Sequence, residues 1–133
     1  MSFYAASVSR LMRNCVLSLA LAGASAVPLA AQDQVSQGSG AVIRALDKVT
    51  GVVSDLELPN GTAVNYGRII ISVEDCRFPS GNPAGNAYAH VTVWPNGGEG
   101  PALFNGWMVA GSPALNALDH PRYDAWVLRC ITS

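Results

Sequence analysis

The chain has 133 residues, half of them hydrophobic and 13% charged, with a formal net charge of −1 at neutral pH. That length suits a single domain. The charge balance excludes a nucleic-acid binder, which needs clustered Lys and Arg, and no apolar run reaches the ~20 residues of a membrane-spanning helix.

In chain order, Arg10 and Arg13 come first, ahead of the apolar run CVLSLALAGASAV, which Pro28 breaks before PLAAQDQ. A positive region, a short apolar region and a small-residue site in that order make residues 1–31 a secretory signal peptide. Cleavage is expected after Ala31, with Ala26 as second choice; an anchor left uncleaved is the alternative. Cys15 opens the apolar run instead of following it, which argues against a lipoprotein site. Removing Arg10 and Arg13 leaves six basic against nine acidic side chains, a net charge of −3. It also removes Cys15 and leaves Cys76 and Cys130 as an even pair. In an oxidising periplasm that pair is expected to form a disulfide. Closing the loop between them would stabilise a domain of about 100 residues by roughly 4 kcal/mol.

Residues 32–40, QDQVSQGSG, are small and polar and are expected to be a flexible lead-in. The domain is then expected over 41–133. Short β-rich runs follow: AVIRAL, GVVSDLEL, AVNY, GRIIISVEDC, AYAHVTVW, ALFNGWMVA and AWVLRCI. Gly, Pro and Asn punctuate them, with Asn60-Gly61 and Gly51 suited to tight turns. The pattern predicts an all-β, mainly antiparallel small sandwich or barrel. In GRIIISVEDC, Ile69, Ile71 and Val73 share one face while Arg68, Ser72 and Glu74 share the other, the period-two mark of a half-buried strand. Strict alternation then turns Cys76 outward. Either a β-bulge near Glu74-Asp75 rotates it inward or the bridge joins strand ends.

Ser112-Pro113 reads as a helix start, and Pro121 as its stop, so one short helix is expected over 113–119, plugging an open end of the β-layer. The last run opposes Tyr123, Ala125, Val127 and Ile131 to Asp124, Trp126, Leu128 and Cys130, apolar on both faces, which places it mid-sheet or under the helix. Trp126 is expected in the core.

Three kinds of site are conceivable. Ser112, His120 and Asp124 contain the groups of an acyl-transfer triad, but AGSPA is no nucleophile elbow and Pro113 removes a candidate oxyanion amide. The bland alternative makes Ser112 a cap, Asp124 an acceptor for turn amides and His120 a pre-proline corner. A metal site is not expected: His90 and His120 are the only histidines, neither lies in a ligand-spaced set, and no calcium loop is present. Among the aromatics, Trp94 at the mouth of the PNGGEGP loop and Tyr88 are the residues expected to face a ligand such as a glycan. No cofactor is implied. The partner is expected to be an envelope protein or a glycan, and the molecule a non-enzymatic envelope module.

LDKVTG near the domain start, the single cysteine closing GRIIISVEDC, and GWMVAGSPALNALDHPRYDAWVLRC closely resemble the DUF2155 family. The resemblance covers residues 41–131. It departs from GWMFASSPAL at Val109 and Gly111, both core-compatible changes. Members are small secreted proteins of alphaproteobacteria without an established activity, so the resemblance implies export and lends no catalytic residue.

Overall fold

Period-two alternation becomes eight strands in the structure, a computed structural model that describes Gly23 and residues 34–132. The expected leader over 1–31 and its cleavage sites lie outside the described residues, Gly23 excepted. The strands are β1 (Val35–Gln37), β2 (Gly40–Asp47), β3 (Val53–Pro59), β4 (Thr62–Tyr66), β5 (Ile69–Pro79), β6 (Tyr88–Pro95), β7 (Phe104–Val109) and β8 (Tyr123–Ile131). All pairings are antiparallel. β5, β6 and β7 run side by side in a five-stranded sheet, in which β4 and β1 share the other edge of the long β5. The second sheet has the order β3-β2-β8.

The inner faces of both sheets meet in one core. Ala41, Ile43 and Ala45 of β2 and Tyr123, Ala125 and Val127 of β8 face Ile69, Ile71 and Val73 of β5 and Ala89, Val91 and Val93 of β6. Alternation delivers these positions to one side because successive strand side chains point to opposite faces.

Two interruptions of alternation decide where the cysteines point. Val73 pairs with Val91 but Asp75 with His90, so Glu74 is an extra residue and β5 is bulged there. Val127 pairs with Ile43 but Arg129 with Val42, so Leu128 is the matching extra residue in β8. Each bulge lies two residues before a cysteine and turns it inward. Cys76 and Cys130 are both buried and joined, with Cα atoms 5.7 Å apart, so the bridge ties one sheet to the other.

Several expectations change. No helix occurs among the described residues: 113–119 is a turn in which the Leu115 amide donates to the Ser112 carbonyl, and Leu115 is 75% exposed. Two helical turns do not repay helix nucleation, and here only Leu118 reaches the core. The lead-in is not structureless, since Val35–Gln37 pairs with β5. Asn60-Gly61 makes no hairpin; it is the corner where the chain leaves the β2 sheet for the β5 sheet, with the Gly61 amide bonded to the Val73 carbonyl. β8 is an edge strand, not a central one. Trp126 is half-buried on the outer face opposite Arg44, because the Leu128 bulge separates its face from that of Cys130.

The β4–β5 hairpin turns on Gly67 at φ +56°, where a Cβ would run into the Tyr123 hydroxyl. That hydroxyl accepts the Arg68 amide at 3.0 Å. Gly51 also has a positive φ, of 75°, but open space around it. Gly67→Ala is therefore expected to lower stability by more than the ~1 kcal/mol that backbone strain alone costs at Gly51→Ala, as read from denaturant midpoints.

Replacing Cys76 and Cys130 together with alanine is expected to cost ~2–5 kcal/mol. Oxidised, exported protein should show no thiol open to alkylation before unfolding.

Candidate functional site

The segment 112–124 holds the expected triad, and two of its three side chains are otherwise engaged. His120 Nδ1 accepts the amides of Arg122 at 3.0 Å and Tyr123 at 3.1 Å, and its ring packs on Tyr123. Asp124 Oδ1 accepts the Ala125 amide. Ser112 is exposed, and among the described residues no hydrogen bond joins any two of the three. A base whose acceptor nitrogen is filled by two backbone donors cannot take a serine proton through that nitrogen.

What this segment does is close the fold. Arg122 forms a two-nitrogen ion pair with Asp47, 2.9 Å from Nη2 to Oδ2, and lies 5.4 Å from the Tyr123 ring centroid. Lys48 Nζ donates to the His120 carbonyl, and the Lys48 amide to that of Arg122. Tyr123, 1% exposed, meets Tyr66 edge-on. The LDKVTG and HPRY stretches, 75 residues apart between Asp47 and Arg122, thus meet at one corner. Further along, Asn116 Nδ2 donates to the Trp107 carbonyl on the open edge of β7, a polar cover for that edge.

Asp47 is the electrostatic centre of that corner. Hydrogen bonding from Arg122 lowers its pKa to about 2, with the Val49 and Thr50 amides adding to the effect and partial burial opposing it. A carboxyl with a lowered folded-state pKa stabilises the fold at pH values above its ordinary pKa and loses that contribution as pH falls toward the folded value. Acid titration between about pH 4 and 2 is therefore expected to destabilise the native protein at this corner. Asp47→Asn, whose amide oxygen can still accept from Val49 and Thr50, should be less stable at neutral pH and flatter across that window in pH-dependent melting. Tyr123→Ala should cost ~3–5 kcal/mol as a large core truncation, whereas Tyr123→Phe, which strands the Arg68 amide, should cost about 1 kcal/mol.

The exposed aromatic surface lies elsewhere, on the outer face of the five-stranded sheet. Register sets its rows: Arg77 beside Tyr88, and Asp75 beside His90 beside Trp107. Trp107 is 40% exposed; His90 stacks on its indole at 5.3 Å between ring centroids, and the Arg77 guanidinium carbon lies 5.7 Å from that ring. Such ring and cation contacts hold an indole in place without hiding it. Arg77 Nε donates to Asp75 Oδ2 at 2.8 Å and Gln37 Nε2 to Asp75 Oδ1 at 2.9 Å. Burial pulls the Asp75 carboxyl upward, but these bonds outweigh it and hold the group below its ordinary value. His90 Nε2 donates to Asn105 Oδ1 at 2.9 Å, and Ser72 Oγ donates to Glu74 Oε1 at 2.6 Å. Val35, Arg77, Tyr88 and Trp107 line a shallow groove of about 270 Å³.

Of the two residues expected to face a ligand, Tyr88 lines this groove. Trp94 is half-buried opposite Ile70, toward the other end of β6. Six residue steps along the strand separate the two, ~20 Å, too far for one shared contact. Trp107 is the residue that sequence reasoning passed over. Its signal was the alternation FNGWMV, which sets Trp107 opposite buried Met108. No group of three or more His, Cys, Asp and Glu suited to a metal occurs among the described residues, and no helix there is long and apolar enough to cross a membrane.

Fold and surface together define a small antiparallel β-sandwich, stapled between its sheets and carrying one exposed, hydrogen-bonded aromatic face. The chain belongs to DUF2155, described as an uncharacterized protein family conserved in bacteria, whose model matches residues 41–130. It is similar to the uncharacterized protein RP359 of Rickettsia prowazekii (strain Madrid E), 28% identical over 90 residues, 66% of this chain. The chain spans 58% of that relative's length. No solved structure matches it.

Proposed function

We propose that the protein is exported to the periplasm and works in the cell envelope as a binding module, not as an enzyme, with the outer face of the five-stranded sheet around Trp107 and Tyr88 as its ligand-facing surface. The observation that carries this reading is an indole left 40% in solvent while His90 and Arg77 fix its position. A large aromatic held in place yet uncovered is the usual anchor of a recognition surface, since little side-chain freedom remains to be lost on binding. Export rests on the leader pattern of residues 1–31. A hydrolase built on Ser112, His120 and Asp124 has no such support, since His120 and Asp124 accept hydrogen bonds from backbone amides.

Complementation of a deletion strain tests the surface. Trp107→Ala combined with Tyr88→Ala is expected to melt within a few degrees of the native protein and to fail in the strain, while Ser112→Ala keeps both stability, within about 0.5 kcal/mol, and function. Full activity of the double variant, or a stable but inactive Ser112→Ala protein, would overturn the reading. Mass spectrometry of periplasmic protein should show a chain starting at Gln32, or as second choice Val27; an intact Met1 or Ser2 terminus there contradicts export with cleavage.

A further inference from the structure

We infer that the groove beside Trp107 takes an uncharged sugar chain, one pyranose ring at a time; this rests on the binding surface proposed above. Three features of the surface point to that chemistry. The groove pairs apolar surface from Val35, Tyr88 and Trp107 with a volume of about 270 Å³, below the ~300–1,000 Å³ of sites for drug-sized ligands and suited to a single ring. A pyranose presents a face of C–H groups to an indole or phenol ring and a rim of hydroxyls that both donate and accept.

The second feature is the flat polar side chains around Trp107, which are already ordered by one another. Gln37 and Arg77 both donate to Asp75, His90 donates to Asn105, and Ser72 donates to Glu74. Carboxylates accept from sugar hydroxyls, and the remaining N–H groups of Gln37, Arg77 and Asn105 donate to them. Groups ordered before the ligand arrives lose little freedom on binding.

The third is charge. Arg77 is the one Lys or Arg in these rows among the described residues, and its guanidinium is committed to Asp75 at 2.8 Å. Glu74 stands 3.9 Å from His90 on the same face. An acidic ligand would meet two carboxylates against one cation, which is already paired with one of them. A neutral polyol meets only partners it can satisfy.

The test is isothermal titration of the mature, oxidised protein with an N-acetylglucosamine tetrasaccharide, and in parallel with a tetrapeptide ending in D-alanine. Saturable heat from the sugar is expected, with affinity lowered about tenfold or more in Trp107→Ala, the loss of one aromatic stack. Trp107→Tyr should restore most of it. Asp55→Ala, on the outer face of the other sheet, should bind as the native protein does. Absence of sugar heat at millimolar concentration, heat from the peptide alone, or sugar binding undiminished in folded Trp107→Ala would each overturn the inference. If the sugar fails while the Trp107→Ala, Tyr88→Ala protein still fails to complement, the ligand class is wrong and the surface stands; if that variant complements fully, the surface itself is wrong.

Discussion

The structure depends on how β8 is held. It is an edge strand with one hydrogen-bonded neighbour, β2, so beyond the apolar core the two sheets share, its hold on the other sheet rests on side chains. Two side chains supply that hold from its ends. Tyr123 at the start reaches the β4–β5 hairpin, where its hydroxyl takes the Arg68 amide over a glycine that leaves room for it. Cys130 near the end is bonded to Cys76 of β5. A strand pinned at both ends cannot slide in register, a slip that would turn its inner face outward.

With β8 fixed, the segment before it becomes a strap between two exposed edges. Asn116 covers the carbonyl of Trp107 on β7, Leu118 enters the core, and Arg122 returns the chain to Asp47. The strap engages His120, one of the groups that resembled a triad, and protects a strand edge that would otherwise invite pairing with another chain. The outer face of the five-stranded sheet, in contrast, is left with Trp107 and Val35 exposed. The buried closure and the exposed aromatic surface thus lie in different parts of GWMVAGSPALNALDHPRY.

Much of the architecture was legible in the sequence because alternation and turn residues are local signals. The seven β-rich runs correspond to β2 through β8, and the mismatch at Cys76 left a bulge near Glu74-Asp75 as one of two readings, the one the structure shows. The second bulge was hidden because Leu128 is apolar, and an apolar residue in an apolar strand gives no sign that the face has changed; Trp126 was misplaced inward for that reason. The helix over 113–119 was suggested by a cap and a proline, which also begin simple turns. β1 was too short and polar to separate from a linker. Trp94 and Trp107 alternate alike in sequence, and only the packing around each shows which stays in solvent.

The Glu74 bulge carries an evolutionary implication. Removing that one residue would restore a regular ladder between β5 and β6, since Val73–Val91 and Asp75–His90 then fall in step, and Cys76 would still face inward. The inserted residue is therefore dispensable to the staple. What it adds is a second carboxylate adjacent in sequence to Asp75 and on the same side of the sheet, 3.9 Å from His90. An extra residue of this kind lets the polar lining of the aromatic face change independently of the covalent framework.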